Sequence, residues 1–222
     1  AADGQTAADA SAEVFTFNTA IAATLVWLAA SAGGTPRAGW RSFVLGLVIG
    51  LGGANHHTIV FTLPTAIVAF VALLRSGERK RIVVAAVFAG VALGLTPYLH
   101  LVTAGGTAGW PRWGETATID GFLRHIIRAD YGTFTLGLLR GSDSAWDHVV
   151  AHLSRTFHEI GPAVLLLAIL GAVAAFRGGH AQNRVWLARA IFATWLLGGP
   201  VFHALFNIPL GDFGDEISAR FD

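Results

Sequence analysis

The stretch LGLVIGLGGANHHTIVFTLPTAIVAFVALL, Leu45 to Leu74, decides the fold. It is apolar almost throughout, yet Asn55, His56 and His57 interrupt its middle. Taken from Ser42 to Leu74 as one helix, it would be roughly 50 Å long at about 1.5 Å per residue. A bilayer core of about 30 Å needs only about 20 apolar residues. Gly52-Gly53 and the polar Asn-His-His offer a natural break, so two short passes are expected, Ser42–Gly53 and Thr58–Leu74.

The rest of the chain agrees with a membrane setting. Its 222 residues have a mean hydropathy of +0.58 and only 13% are charged, against about a quarter in soluble domains. Four further passes are expected, Val14–Ala32, Ile82–Thr103, Ile160–Phe176 and Val185–Phe206. The expected fold is therefore all-α and integral to the membrane, a polytopic bundle of about six segments, one or two of them short or re-entrant. Transmembrane segments fill 1–103 and 160–206, an external segment covers 104–159, and an external tail covers 207–222. A net charge of +1 gives no sign of a nucleic-acid partner, and 0 Cys excludes disulfides, thiol nucleophiles and cysteine metal sites. There is no Met, so the chain reads as a piece of a longer protein. Its Arg, Ala and Gly usage hints at a bacterial gene.

Charge sets the sidedness. With six alternating passes, Arg37, Arg41, Arg75, Arg79, Lys80, Arg81, Arg177 and Arg184 share one side with a single acid, Glu78. Short basic loops stay cytosolic. An unbroken Ser42–Leu74 pass would put the 37–41 and 75–81 clusters on opposite faces. The expected location is thus a cell (inner) membrane, with both ends of the chain on the outer face. Asn55, His56 and His57 then form an outer turn, either a plain interfacial turn or the lining of an outward-facing pocket. No metal site is expected there, because adjacent helical residues diverge by about 100° and no third ligand is evident.

Two amphipathic helices are expected in the outer segment. In TIDGFLRHIIRADYG, Ile119, Phe122, Leu123, Ile126 and Ile127 make one apolar face. Asp120, Arg124 and Arg128 lie opposite with His125 beside them; Thr118 is the expected N-cap and Gly132 the expected stop. In SDSAWDHVVAHLSRTFHEI, Trp146, Val149, Val150, Leu153 and Phe157 form a stripe, with His148, His152 and Arg155 on the other side. Such helices can lie in the interface plane. They either cover the bundle ends or hold an anionic headgroup or phosphate on Arg124 and Arg128, since the guanidinium fork suits phosphate. Upstream, Trp110 and Trp113 flank Pro-Arg, Gly114 permits a tight turn, and Glu115 is its one carboxylate. Trp there can anchor the interface or stack on a sugar ring.

The segments AEVFTFN, GLGGANHHTIVFTLP, TPYLHL, RWGETATIDGFLRHIIRADYG and FNIPLGDFGDEISARF follow one another along the chain. This ordered set resembles the membrane family called domain of unknown function 2723. Its eukaryotic relatives are the transmembrane O-mannosyltransferases of plexin-type receptors. The resemblance runs from about Ala12 to Phe221. It implies an inverting glycosyltransferase of the C superfamily, with a polyprenyl-phosphate-linked sugar as donor, mannose being the candidate sugar, and a protein or glycan as acceptor. It also implies a main catalytic acid upstream of the AEVF segment, with Glu13 the matching carboxylate within this chain. Asn55, His56, His57, Trp113, Gly114, His125, Arg128 and Tyr131 are the substrate-site positions it carries over. Arg124 and Glu115 join them from the reading of the residues. No cofactor is named, and a divalent metal requirement stays open. Two other functions fit the pattern, a multi-pass transporter built on broken helices and a non-catalytic membrane scaffold.

Overall fold

A computed structural model describes residues 3–32, 37–105, 116–127, 129, 143–177 and 182–205. Among these the secondary structure is helical, with no strand. Four helical stretches are long and apolar enough to cross a membrane: His57–Leu74, Lys80–Thr103, Ala145–Ala174 and Val185–Ala204. The chain is a multi-pass membrane protein. The remaining two expected passes fall on α1 (Asp3–Ser31), whose apolar part Phe17–Ser31 is shorter, and on α2 (Ala38–Asn55).

α2 ends where its backbone extends at His56, with φ −154° and ψ 135°. The chain resumes as a 3₁₀ turn, His57–Thr62, and continues as α3 (Leu63–Leu74), with Pro64 in its first turn where the missing N–H costs nothing. After a short basic loop, α4 (Lys80–Gly94) runs back beside α2. Gly39 of α2 faces Ile82 of α4, Gly46 faces Gly90, and Gly50 faces Gly94, so numbering rises together and the two helices are parallel. α3, which joins them in the chain, runs the opposite way and packs mainly against α1 and α8. The N-terminal ends of α2 and α4, with Arg37, Arg41, Arg79, Lys80 and Arg81, therefore share one end of the bundle, and Arg75 at the close of α3 joins them.

The α2–α4 contact is backbone against backbone. A Cβ on Gly46 would stand 2.0 Å from the Val87 carbonyl oxygen, and one on Gly90 would stand 2.1 Å from that of Phe43. On Gly50 and Gly94 it would fall 2.5 Å from the carbonyl oxygens of Val91 and Leu47. Glycines four apart on both helices are how membrane helices approach closely without a hydrophobic driving force.

α4 stops at Gly94, and α5 (Pro97–Gly105) begins at the proline. α6 (Ile119–Ile126) is short; α7 (Ala145–Arg177) bends at Gly161, φ 76° and ψ 158°, just before Pro162. Its first turn is held by Ser144, whose N–H and hydroxyl donate to the Asp147 carboxylate at 2.8 and 2.7 Å. α8 (Gln182–Leu196) passes into a π turn, Leu197–Val201, that carries Gly198-Gly199-Pro200, and then into α9 (Phe202–Ala204). Leu25, Leu28, Leu45, Leu73 and Val83 are fully buried between α1, α2, α3 and α4. The Thr65 and Thr194 hydroxyls share a hydrogen bond of 2.9 Å that ties α3 to α8. Phe88, Leu99 and Leu167 face outward, as lipid allows.

Replacing Gly46 or Gly90 with Leu should separate α2 from α4 and destabilise the protein by at least about 1–3 kcal/mol, the usual range for overpacking. Gly171→Leu is the control, because nothing lies within 4 Å of its Cβ position. Unfolding in a graded SDS titration checks it, with both interface variants midpoint-shifted and the control unchanged.

Candidate functional site

The end of the bundle opposite the basic loops is polar. Asn55, in the last turn of α2, donates through Nδ2 to Oδ1 of Asn18 on α1 at 3.0 Å. Asn18 Nδ2 reaches the Thr58 hydroxyl at 3.4 Å. That hydroxyl lies 2.8 Å from His56 Nδ1, which also accepts from the Thr58 N–H at 3.3 Å. A nitrogen that accepts carries no proton, so the imidazole proton of neutral His56 is on Nε2. One directed network, Asn55 to Asn18 to Thr58 to His56, thus joins α1, α2 and the 3₁₀ turn. It explains why the chain breaks here: the extended His56 lets its ring cap the turn that follows.

α6 is docked against this turn. Nε2–H of His57 donates to the Ile126 carbonyl at 2.8 Å, among the last carbonyls of α6. A neutral His57 ring then offers Nδ1 as an acceptor, and the side chain is exposed. Tyr98 of α5 completes the support. Its hydroxyl donates to the Gly53 carbonyl at 2.9 Å, and its ring meets Phe122 of α6 edge-on, with centroids 6.1 Å apart. Thr118 caps α6, accepting from the Gly121 N–H at 3.1 Å. Thr116, buried, donates to the Leu101 carbonyl at 2.8 Å and anchors the entry to α6.

Of the residues singled out in the sequence, Asn55, His56, His57 and His125 converge on this end. His125 is half-buried on α6, while Arg124 is exposed on its outer side. Glu13 lies on α1, five residues before Asn18, which is about 7.5 Å along a helix axis. Trp113, Gly114, Glu115, Arg128, Tyr131 and Gly132 lie outside the described residues, as does Trp110. Only part of the apolar face of α6 is covered: Phe122 and Ile126 are half-buried, whereas Ile119 is 82% exposed.

A second cluster was not among the candidate residues. His148 and His152, one turn apart on α7, are both buried, and the stripe on the other side, Trp146, Val150, Leu153 and Phe157, is exposed. The helix is turned with its histidines inward and its apolar stripe outward, the reverse of a helix in water. His152 stacks on His203 of α9, with ring centroids 4.3 Å apart and planes 17° apart. A Cβ on Gly199 would lie 2.7 Å from His152 Nε2, so the π turn needs glycine there. Phe202 meets Phe61 edge-on at 5.3 Å, which places the π turn beside the 3₁₀ turn. The HxxxH spacing on α7 was visible in the sequence; the direction that face points was not.

The network between α1 and α2 should show as an interaction energy. A double-mutant cycle on Asn18→Ala and Asn55→Ala should give a coupling of about 0.6 kcal/mol, typical of interhelical hydrogen bonds in membranes. Additive effects on unfolding would remove that link.

No family model matches the chain, and no solved structure matches it. The chain is 26% identical over 153 residues to Protein O-mannosyl-transferase TMEM260 of Mus musculus, a match that covers 67% of this chain and 22% of that protein. It is 27% identical over 125 residues to Protein O-mannosyl-transferase tmem260 of Dictyostelium discoideum, covering 53% of this chain and 15% of that one. The matches thus span about a fifth or less of these relatives' own length. They establish a partial likeness between this multi-pass membrane chain and membrane glycosyltransferases.

Proposed function

We propose that this chain forms part of the substrate groove of a membrane glycosyltransferase that moves a sugar, with mannose the candidate, from a polyprenyl-phosphate donor to a protein or glycan acceptor at the outer face. The observation that carries the reading is the polar network Asn55–Asn18–Thr58–His56 at the end of an otherwise apolar bundle, with exposed His57 beside it. The likeness to O-mannosyl-transferases supports it.

Such a reaction has three requirements. The prenyl chain needs an apolar groove, which spaces between the spans provide. The donor phosphate needs cations, for which Arg124 of α6 and Arg128 are the candidates. The acceptor hydroxyl must lose its proton as the bond to the anomeric carbon forms and the phosphate leaves. Glu13 is the candidate base in this chain, and the resemblance points to a further acid upstream of the AEVF segment. Asn55, His56 and His57, held by their own hydrogen bonds, would orient sugar hydroxyls with little reorganisation. Trp113, with Gly114 and Tyr131, would supply a stacking face, and Glu115 and His125 polar contacts. We place six passes in the membrane, those of α1 and α2 included, because α2 runs parallel to α4 and α3 carries the chain back from the end of one to the start of the other. The basic end then faces the cytosol by the positive-inside rule.

The test is sugar transfer from a polyprenyl-phosphate mannose donor to a protein acceptor, using the full-length protein in liposomes. His57→Ala should lower transfer about fivefold or more, the loss expected for one hydrogen bond of about 1 kcal/mol. Arg128→Ala should weaken donor binding roughly tenfold, as for a charge-assisted contact. Glu13→Gln should cost about a hundredfold or more if it is the base. Wild-type transfer in all three variants would refute the site. Energised solute flux with no sugar transfer would favour the transporter reading, which the adjoining 3₁₀ and π turns also suit.

A further inference from the structure

At the basic end of the bundle, far from the polar network, α1, α3 and α8 leave a cleft of about 620 Å³. Its walls are apolar, built from Ala29 and Ala30 of α1, Ile67, Val68 and Val71 of α3, and Leu187 of α8. Arg75 and Trp186 also line it, and no lining residue is acidic. Small-molecule sites have this size and this balance of mostly apolar wall with a few polar groups.

Two further guanidiniums stand at its border. Arg41 donates to the Ser31 carbonyl and lies over the Trp27 ring, 5.6 Å from its centroid. Arg189 lies 5.3 Å from the centroid of the Trp186 ring. Ser31 and Trp186 both line the cleft. The two aromatic rings hold their cations in place at the margin, while Arg75, at the end of α3, is exposed and reachable. The cleft is therefore greasy along its length and cationic at one mouth. A soluble anion would match only the mouth, and an uncharged hydrocarbon only the walls. A molecule with an acyl chain and a phosphate matches both.

We propose that this cleft is a binding site for an anionic phospholipid drawn from the leaflet on the basic side. One acyl chain lies between α1, α3 and α8. The phosphate sits against Arg75, in the field of Arg41 and Arg189. Basic pockets between membrane helices take anionic headgroups in this way, and the guanidinium fork matches two phosphate oxygens. The site does not depend on the sugar-transfer reading, which concerns the other end of the bundle.

Native mass spectrometry of the full-length protein tests it, after exchange into phosphatidylglycerol or into phosphatidylcholine of the same chain length. Wild-type protein should retain one more phosphatidylglycerol than phosphatidylcholine. Arg75→Gln should lower that retention about fivefold, the effect of removing one basic residue at an anionic surface, and Arg75→Lys should keep most of it. Ala30→Trp, at an exposed position on the cleft wall, should fill the groove and abolish the extra lipid while the helical circular dichroism stays unchanged. Equal retention of the two lipids overturns the proposal. So does retention that Arg75→Gln and Ala30→Trp leave unaltered, the result expected if another helix of the protein occupies the cleft.

Discussion

The structure depends on one contact, the packing of α2 directly against α4 through Gly46, Gly50, Gly90 and Gly94. In lipid, two apolar helices gain nothing by hiding from the solvent, because lipid tails are as apolar as leucine. What remains is close van der Waals contact, and it requires that no side chain intervene. Four missing Cβ atoms supply that condition, each at a position where a methyl would overlap a backbone atom of the partner. The contact also fixes direction. Because the two helices run parallel, the chain must cross back through α3 before α4 begins, and it must turn sharply after α2.

That turn is where polar chemistry enters. A helix end inside or near a bilayer has carbonyls and N–H groups that lipid cannot satisfy. Here the needs are met locally: Tyr98 donates to the Gly53 carbonyl, His56 N–H bonds to the Gly52 carbonyl at 2.9 Å, and the His56 ring caps the next turn. The same groups that close the backbone accounts of α2 and the 3₁₀ turn thereby become a fixed set of donors and acceptors at one end. His57 then ties α6 to that end. Structural capping and a substrate-orienting role are compatible, because both need side chains held in one rotamer.

The two ends of the bundle consequently differ in kind. One carries amides, hydroxyls and imidazoles in hydrogen-bonded chains. The other carries guanidiniums laid over indole rings and a greasy cleft between three helices. In the readings proposed above, the first would take a neutral polyhydroxylated ligand and the second an anion with a hydrocarbon tail. The buried His152–His203 stack belongs with the first end, next to the π turn and the Phe61–Phe202 contact.

Much of this was legible in the residues. Long apolar runs determine helices and a membrane, because no other regular structure satisfies the backbone there without closing a barrel. Asn-His-His at the middle of Leu45–Leu74 marked the break, since polar residues do not favour the lipid core; the helix itself runs on through both glycines and Asn55 and ends at His56. Basic residues at 37–41 and 75–81 pointed to a shared end, and Pro97 and Gly198-Gly199-Pro200 marked later irregularities by their backbone limits. Thr118 was readable as a cap because capping is local. Other features were not readable, because they depend on partners distant in the chain. The GxxxG spacings at 46–50 and 90–94 become an interface only once α2 and α4 are known to run side by side. Asn18 gains its role only through Asn55 and Thr58, about 40 residues away. The histidines of α7 looked like the outer side of an amphipathic helix, since periodicity defines two faces but not which of them meets protein and which meets lipid. That choice was made by the tertiary structure, where the π turn offers His152 the space of Gly199 and α9 offers it the His203 ring to stack on.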